Sequence, residues 1–143
     1  MRLASVMAFA AMVAALVALL YTHSLFAHTL LPIAGQVAAV CLMLWARLTF
    51  GLRSFHAAAD PTGGELVTSG PYRFLRHPIY ASICLFIWAG VLDHLSPLAV
   101  SLGILATAGA IVRLLCEETF LFQHYPEYSR YAQATKRLLP GLW

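Results

Sequence analysis

The stretch from Leu3 to Tyr21 contains no charged side chain and sits behind a lone cation, Arg2. A helix crossing a bilayer needs about 20 mostly apolar residues, whereas the apolar core of a secretory signal usually has about 7–15. The run therefore reads as a retained span, and Phe26-Ala27-His28 makes a poor small-residue cleavage site. A second apolar run, Leu30 to Phe50, follows the polar turn Thr22-His23-Ser24. A third begins at Pro78 and ends near Leu92, short for a crossing. The connection Asp93 to Ser96 leads into a fourth helix, with Ser96 suited to the N-cap and Pro97 to the first helical position. That helix is expected to reach about His124, its apolar part broken by Arg113, Glu117 and Glu118.

In a chain of 143 residues, 61% hydrophobic and 10% charged, these runs leave no room for a large soluble domain, a Rossmann-type cofactor domain or a repeat array. The expected fold is all-α: a polytopic membrane protein of about four transmembrane helices with a C-terminal interfacial amphipathic helix. As one domain, it divides into two N-terminal helices (1–50), a polar loop (51–77), a helical hairpin (78–124) and a tail (125–143). Small residues mark two helix-packing faces, Ala4, Ala8, Ala11, Ala15 and Ala18 in the first run and Ala99, Gly103, Ala106 and Ala110 in the fourth. The first face suits a dimer as well as the bundle, so the oligomeric state stays open.

Charge placement gives an orientation. The connections 22–29 and 93–96 carry no Lys or Arg, while Arg47, Arg53, Arg73 and Arg76 flank the long loop and Arg130, Lys136 and Arg137 lie in the tail. The positive-inside rule then puts both termini and the loop in the cytoplasm. A net charge of +3 without a basic run gives no nucleic-acid footprint. Cys41, Cys84 and Cys116 lie in apolar stretches with no Cys-x-x-Cys spacing and read as small apolar side chains. His23, His28, His56, His94 and His124 show no metal-ligand spacing, so no metal site is expected. Gln36 is almost the only polar group within the first two spans, too little for a transporter path.

The loop from Gly51 to Tyr72 carries Arg53, His56, Asp60 and Glu65 among the breakers Pro61, Gly63, Gly64, Gly70 and Pro71. Gly63-Gly64 reads as a hinge over a pocket. Chemistry concentrates in two clusters. The first, Ser69 to Tyr80, ends in Arg76-His77-Pro78-Ile79-Tyr80. Pro78 suits the first helical position, which sets Arg76 and His77 beside free backbone N–H groups at a positive helix end, an anion site. The second is Arg113 with Glu117 and Glu118. Arg113 and Glu117 share a helix face and suit an ion pair, whereas Glu118 points about 100° away. Together they describe a cytoplasm-facing pocket for a ligand with both charges and a polar ring, beside a lipid-like partner.

At these residues the chain resembles the isoprenylcysteine carboxyl methyltransferase family, related to the phospholipid N-methyltransferases. The resemblance lies in Gly70-Pro71-Tyr72 followed by Arg76-His77-Pro78-Ile79-Tyr80, then Glu117-Glu118-Thr119-Phe120-Leu121, then Tyr125 and Tyr128-Ser129-Arg130-Tyr131, and last Arg137-Leu138-Leu139-Pro140. It covers about residues 66 to 143 in order. Ser82 departs from the Gly that many members carry there. The resemblance implies methyl transfer from S-adenosylmethionine, with His77, Pro78, Tyr80 and Glu118 contacting the cofactor and Tyr72, Tyr128 and Tyr131 around it.

Methyl transfer from a sulfonium is an in-line displacement in which positioning and desolvation dominate. A carboxylate acceptor, the leading expectation for a lipidic or small apolar substrate, needs no base; Arg113 or Arg76 would hold it, with Glu117 fixing Arg113. An amine or thiol needs a base, and Glu117, Glu118 or His77 qualifies. A non-catalytic lipid-binding or assembly protein is the alternative of another class, and the intact polar set argues against it.

Overall fold

The computed structural model describes residues 2–51 and 66–139. Within them the chain forms five α-helices: α1 (Arg2–Tyr21), α2 (Leu30–Phe50), α3 (Pro78–His94), α4 (Pro97–His124) and α5 (Tyr128–Ala134). A 3-10 turn, Gly70–Arg73, precedes α3. The described residues contain no strand, only one parallel bridge between Leu75 and Lys136. The expected all-helical architecture is therefore observed. The hinge Gly63-Gly64, the charged residues Arg53, His56, Asp60 and Glu65, and Pro140 lie outside the described residues.

α1, α2 and α4 are long and apolar enough to span a membrane, at 20, 21 and 28 residues. α3 has 17 residues and runs through to His94, two residues beyond the expected Leu92. At 1.5 Å per residue it is about 26 Å long, short of a hydrocarbon core of about 30 Å. The N-cap of α4 is as read from the sequence: Ser96 Oγ accepts from the Ala99 amide at 3.1 Å, with Pro97 in the first turn.

The helices pack in a row, α1 against α4, α4 against α3 and α3 against α2. In α4, Ala99, Gly103, Ala106 and Ala110 are all buried, as the small-residue pattern requires. The seam of α1 is rotated from the alanine stripe. It consists of Ser5, Ala8, Met12, Ala15 and Leu19, while Ala4 is exposed and Ala11 and Ala18 are half-buried at its edge. Gly109 of α4 decides the rotation: a Cβ there would lie 2.7 Å from the Ala8 carbonyl oxygen and 3.1 Å from Met12 Cβ, so Met12 fills the space the glycine leaves. Alanine spacing alone cannot show which partner surface has the notch.

The alternating helices give the molecule two ends. One, the hairpin end, holds the 22–29 connection against the last turns of α3. Gln36 is buried there; its Oε1 accepts from the Ala27 amide at 3.1 Å, and its Nε2 donates to the Leu25 carbonyl at 2.7 Å and the Phe86 carbonyl at 3.2 Å. Asp93 accepts from the His28 and Thr29 amides and from the Thr29 hydroxyl. The other, the ionic end, gathers the start of α1, the ends of α2 and α4, the start of α3, and α5.

Candidate functional site at the ionic end

The tail positions the site. After α5 the backbone turns back along the residues that lead into α3: the Arg76 amide donates to the Lys136 carbonyl at 2.6 Å, His77 N–H to Arg137 at 3.1 Å, and Lys136 N–H to Phe74 at 3.2 Å. The amides of Arg76 and His77 themselves are thus taken up by tail carbonyls, which seats both residues at the start of α3. The His77 carbonyl accepts from Ala81, starting α3, with Pro78 fully buried at the first helical position.

Glu118 is the centre of the cluster and is buried. Its Oε1 accepts from Arg76 Nε at 2.8 Å and lies 3.4 Å from His77 Nε2, and its Oε2 accepts from Arg137 Nε at 2.9 Å. Arg76 also donates through one terminal nitrogen to the carbonyls of Ala132 and Thr135, both at 2.6 Å. A cation at those carbonyls satisfies groups that the end of α5 leaves without helical partners. Arg76 therefore ties α4, α5 and the start of α3 together.

Glu117 faces another way, as its position around the helix requires. Its Oε1 accepts from the Tyr80 hydroxyl at 2.5 Å and lies 3.5 Å from Arg113 Nε; its Oε2 is 3.9 Å from His77 Nδ1. Arg113 Nε donates to the same Tyr80 oxygen at 2.7 Å, so the phenol is a joint between the cation and the carboxylate. The pairing of Arg113 with Glu117 is thus as expected, with Tyr80 inserted into it. His77, 5% exposed, lies between the two carboxylates.

The tyrosines line the cluster. Tyr131 Oη donates to the Tyr72 carbonyl at 2.6 Å. Burial pushes the Tyr131 hydroxyl up to about 12, and it raises Tyr72 and Tyr128 as well, so all three stay protonated near neutrality. The Tyr72 ring lies 5.6 Å from that of Phe50 at the end of α2. Gly70 permits that approach: it has φ +56°, and a Cβ would sit 2.5 Å from Thr49 Oγ1. Tyr128 is 1% exposed, edge-on to Phe122 at 4.8 Å, and its hydroxyl has no hydrogen-bond partner among the described residues. A buried hydroxyl without a partner costs about 1–3 kcal/mol, so one is expected only where a ligand or another device uses it.

The structure thus brings together Tyr72, Arg76, His77, Pro78, Tyr80, Glu117, Glu118, Tyr128 and Tyr131, with Arg113 joined through Tyr80. Sequence reasoning missed Arg137 as a partner of Glu118, although it opens the closing Arg-x-x-Pro pattern. It also missed Phe9 of α1, whose ring lies under the Arg113 guanidinium at 4.8 Å. Nothing in its apolar surroundings distinguishes that phenylalanine. Among the described residues no group of three or more His, Cys, Asp or Glu side chains is arranged to hold a metal ion.

Comparison with known proteins places this arrangement. The chain is 30% identical over 137 residues to the nickel-cobalt-cadmium resistance protein NccN of Alcaligenes xylosoxydans xylosoxydans, covering 89% of this chain and 60% of that protein. It is 39% identical over 80 residues to the cobalt-zinc-cadmium resistance protein CzcN of Cupriavidus metallidurans, covering 54% of this chain and 36% of that one. The chain therefore spans less than two thirds of the length of these relatives. No solved structure matches it. The phospholipid methyltransferase family model matches residues 29–128, which takes in α2, α3, α4 and both motif clusters. The chain belongs to the phospholipid methyltransferase family, within the superfamily of isoprenylcysteine methyltransferase-like membrane methyltransferases.

Proposed function

We propose that the protein moves a methyl group from S-adenosylmethionine to a lipidic or small apolar acceptor at the ionic end, with that end facing the cytoplasm. The observation that carries this reading is the Glu118 cluster beside the Tyr128 hydroxyl, which has no partner among the described residues: a buried carboxylate, three cationic or ionisable partners and a further donor, all roofed by tyrosines. These groups fit a zwitterionic, ring-bearing cofactor. Glu118 suits its ammonium group, His77 its carboxylate, and Tyr72, Tyr128 and Tyr131 its ring, with Pro78 and Tyr80 as the wall toward the bilayer. The bound cofactor supplies an electrophilic methyl group on a sulfonium.

The rest is done by the chain. Arg76 and Arg137 hold the tail over the cluster, and the apolar faces of α3 and α4 exclude water, which strengthens each charge contact there. Orientation follows from Arg47, Arg73, Arg76, Arg130, Lys136 and Arg137, all at the ionic end, against none in the 22–29 and 93–96 connections.

The resemblance favours a carboxylate acceptor. A specific observation favours a second reading, an acceptor that gives up a proton, such as an amine or thiol. The side chains of Arg76 and Arg113 are 8% and 6% exposed and already engaged, while Glu117 is 27% exposed. Of the three residues assigned to the acceptor the accessible one is therefore Glu117, a base, and as the acceptor gains the methyl group its proton passes to Glu117.

The test is to titrate the protein in detergent with S-adenosylmethionine by calorimetry, then incubate it with methyl-tritiated cofactor and host membrane extract. Binding and label in the lipid-soluble fraction are expected. Failure to bind either the cofactor or its demethylated product overturns the proposal. The chemistry of the labelled product decides between carboxylate and amine or thiol.

A further inference from the structure

α1 lies outside the residues matched by the family model, which begin at residue 29, yet it reaches into the ionic end. It packs along α4, with Ala8 and Met12 opposite Gly109. Because the two helices run antiparallel, the turn of α1 that contains Phe9 meets the turn of α4 that contains Arg113. The Arg113 guanidinium carbon lies 4.8 Å from the centre of the Phe9 ring. From the other side, Arg113 Nε donates to Tyr80 at 2.7 Å, and Tyr80 donates to Glu117 at 2.5 Å. Four side chains on three helices are thus connected in one line: Phe9, Arg113, Tyr80, Glu117.

A guanidinium that is 6% exposed has little water to satisfy it, and the negative face of an aromatic ring is one of the few apolar groups that attracts a cation. The ring also limits where the guanidinium plane can lie. A shift of Arg113 toward α1 would lengthen the Nε–Tyr80 bond and free the phenol to rotate away from Glu117. Leucine at position 9 would fill much of the same space but offer no such face.

We propose that Phe9 is a positioning residue for methyl transfer: its ring holds Arg113 so that Tyr80 stays aligned between Arg113 and Glu117. This rests on the proposed function, because Glu117 and Tyr80 are assigned to the site there. It goes further by making α1, which the family match does not include, part of the machinery that orients the acceptor end. Phe9 acts through Arg113 and touches neither cofactor nor acceptor. The cofactor's charged groups are assigned to the surroundings of Glu118, so the loss of Phe9 affects the transfer rate more than cofactor affinity, which it reaches only through Tyr80.

The test uses the full chain in detergent, unmodified and as Phe9→Leu and Phe9→Trp. Three quantities are read: the calorimetric affinity for S-adenosylmethionine, the rate of tritium transfer into host membrane extract, and the Arg Nε–H signals in nitrogen-labelled protein without cofactor, assigned for Arg113 by its loss in Arg113→Lys. The proposal expects the Arg113 Nε–H line of the unmodified protein to be shifted upfield by the ring current and to lose that shift in Phe9→Leu. It expects Phe9→Leu to transfer methyl on the order of tenfold more slowly, the worth of a cation–π contact of about 1–2 kcal/mol, with cofactor affinity changed by less than the rate. Phe9→Trp, which keeps the aromatic face, restores most of the rate. An unshifted Arg113 line in the unmodified protein overturns the proposal even if Phe9→Leu does not fold. Equal rates in Phe9→Leu and the unmodified protein also overturn it, as does an equal loss in Phe9→Leu and Phe9→Trp. Failure of the unmodified protein to bind cofactor would instead strike the proposed function, while the line shift would still report on the Phe9–Arg113 contact.

Discussion

The two ends of the molecule use polar side chains in opposite ways. At the hairpin end they bond mostly to backbone: Gln36 to the 25, 27 and 86 peptide groups, Asp93 to the 28 and 29 amides, and His94 Nε2 to the Phe26 carbonyl at 2.9 Å. At the ionic end they bond mostly to one another, through Glu118, Glu117 and Tyr80. Peptide groups are fixed in place and cannot be replaced without a chain rearrangement, so the first pattern specifies one shape. Side chains joined to side chains can exchange partners when a charged ligand arrives, so the second pattern can bind. A buried ion cluster is weak evidence of stabilisation, since desolvation offsets much of the attraction. Its retention in a chain with only 10% charged residues points to chemistry rather than to stability.

The comparison breaks most visibly at Glu118. In Glu118→Gln, Arg76 and Arg137 lose a buried counter-charge, and a proposed contact to the cofactor ammonium loses its charge. A hydrogen bond to a charged group is worth about 1.5–3 kcal/mol, so cofactor affinity should fall by a factor on the order of ten to a hundred. Thermal stability in detergent should fall as well, because the remaining cations are uncompensated. Calorimetry and thermal unfolding on the same sample check both. Unchanged affinity would remove Glu118 from the binding site and leave the cluster a structural tie.

Gly90 offers the opposite case. A Cβ at that position would lie 2.1 Å from the Leu25 carbonyl oxygen and 2.7 Å from its carbon, so Gly90→Ala forces the 22–29 connection off α3. The cost expected for such overpacking is about 1–3 kcal/mol. It should appear as a lower unfolding temperature with cofactor affinity intact. If affinity also fell tenfold, the two ends would be coupled through α3 and the division between them would be wrong.

The division was only half visible in the sequence. The limits of α2 and α4 were legible because Thr22-His23-Ser24, Gly51 and Ser96-Pro97 are strong local breakers and caps. The divergence of Glu117 and Glu118 was legible because adjacent helical residues must point about 100° apart. What local pattern cannot carry is pairing across sequence distance. The tail backbone beside Arg76 and His77, Arg137 on Glu118, and Asp93 on the 28–29 amides all join residues from 19 to 65 positions apart, and none has a periodic signature. The α1 seam was displaced for a related reason, since Gly109 sets the contact line from the partner helix.

The smallest effect is expected at Ser82, where the chain departs from the glycine common in the family it resembles. Ser82 is 1% exposed and lies in α3, two residues after Tyr80, and its Oγ donates to the Ile79 carbonyl of its own helix at 2.7 Å. The hydroxyl is therefore satisfied locally by its own helix. Ser82→Gly removes that bond without leaving a buried donor unpaired, and the main cost is the lower helix propensity of glycine, about 0.5 kcal/mol. The expected result is a barely lowered unfolding temperature with unchanged methyl transfer and cofactor affinity. A gain in transfer rate would mean that the serine side chain narrows the approach of the acceptor to Tyr80. In that event the small residue in the family pattern serves the ligand, and the boundary of the site extends one turn deeper into α3 than the polar contacts indicate.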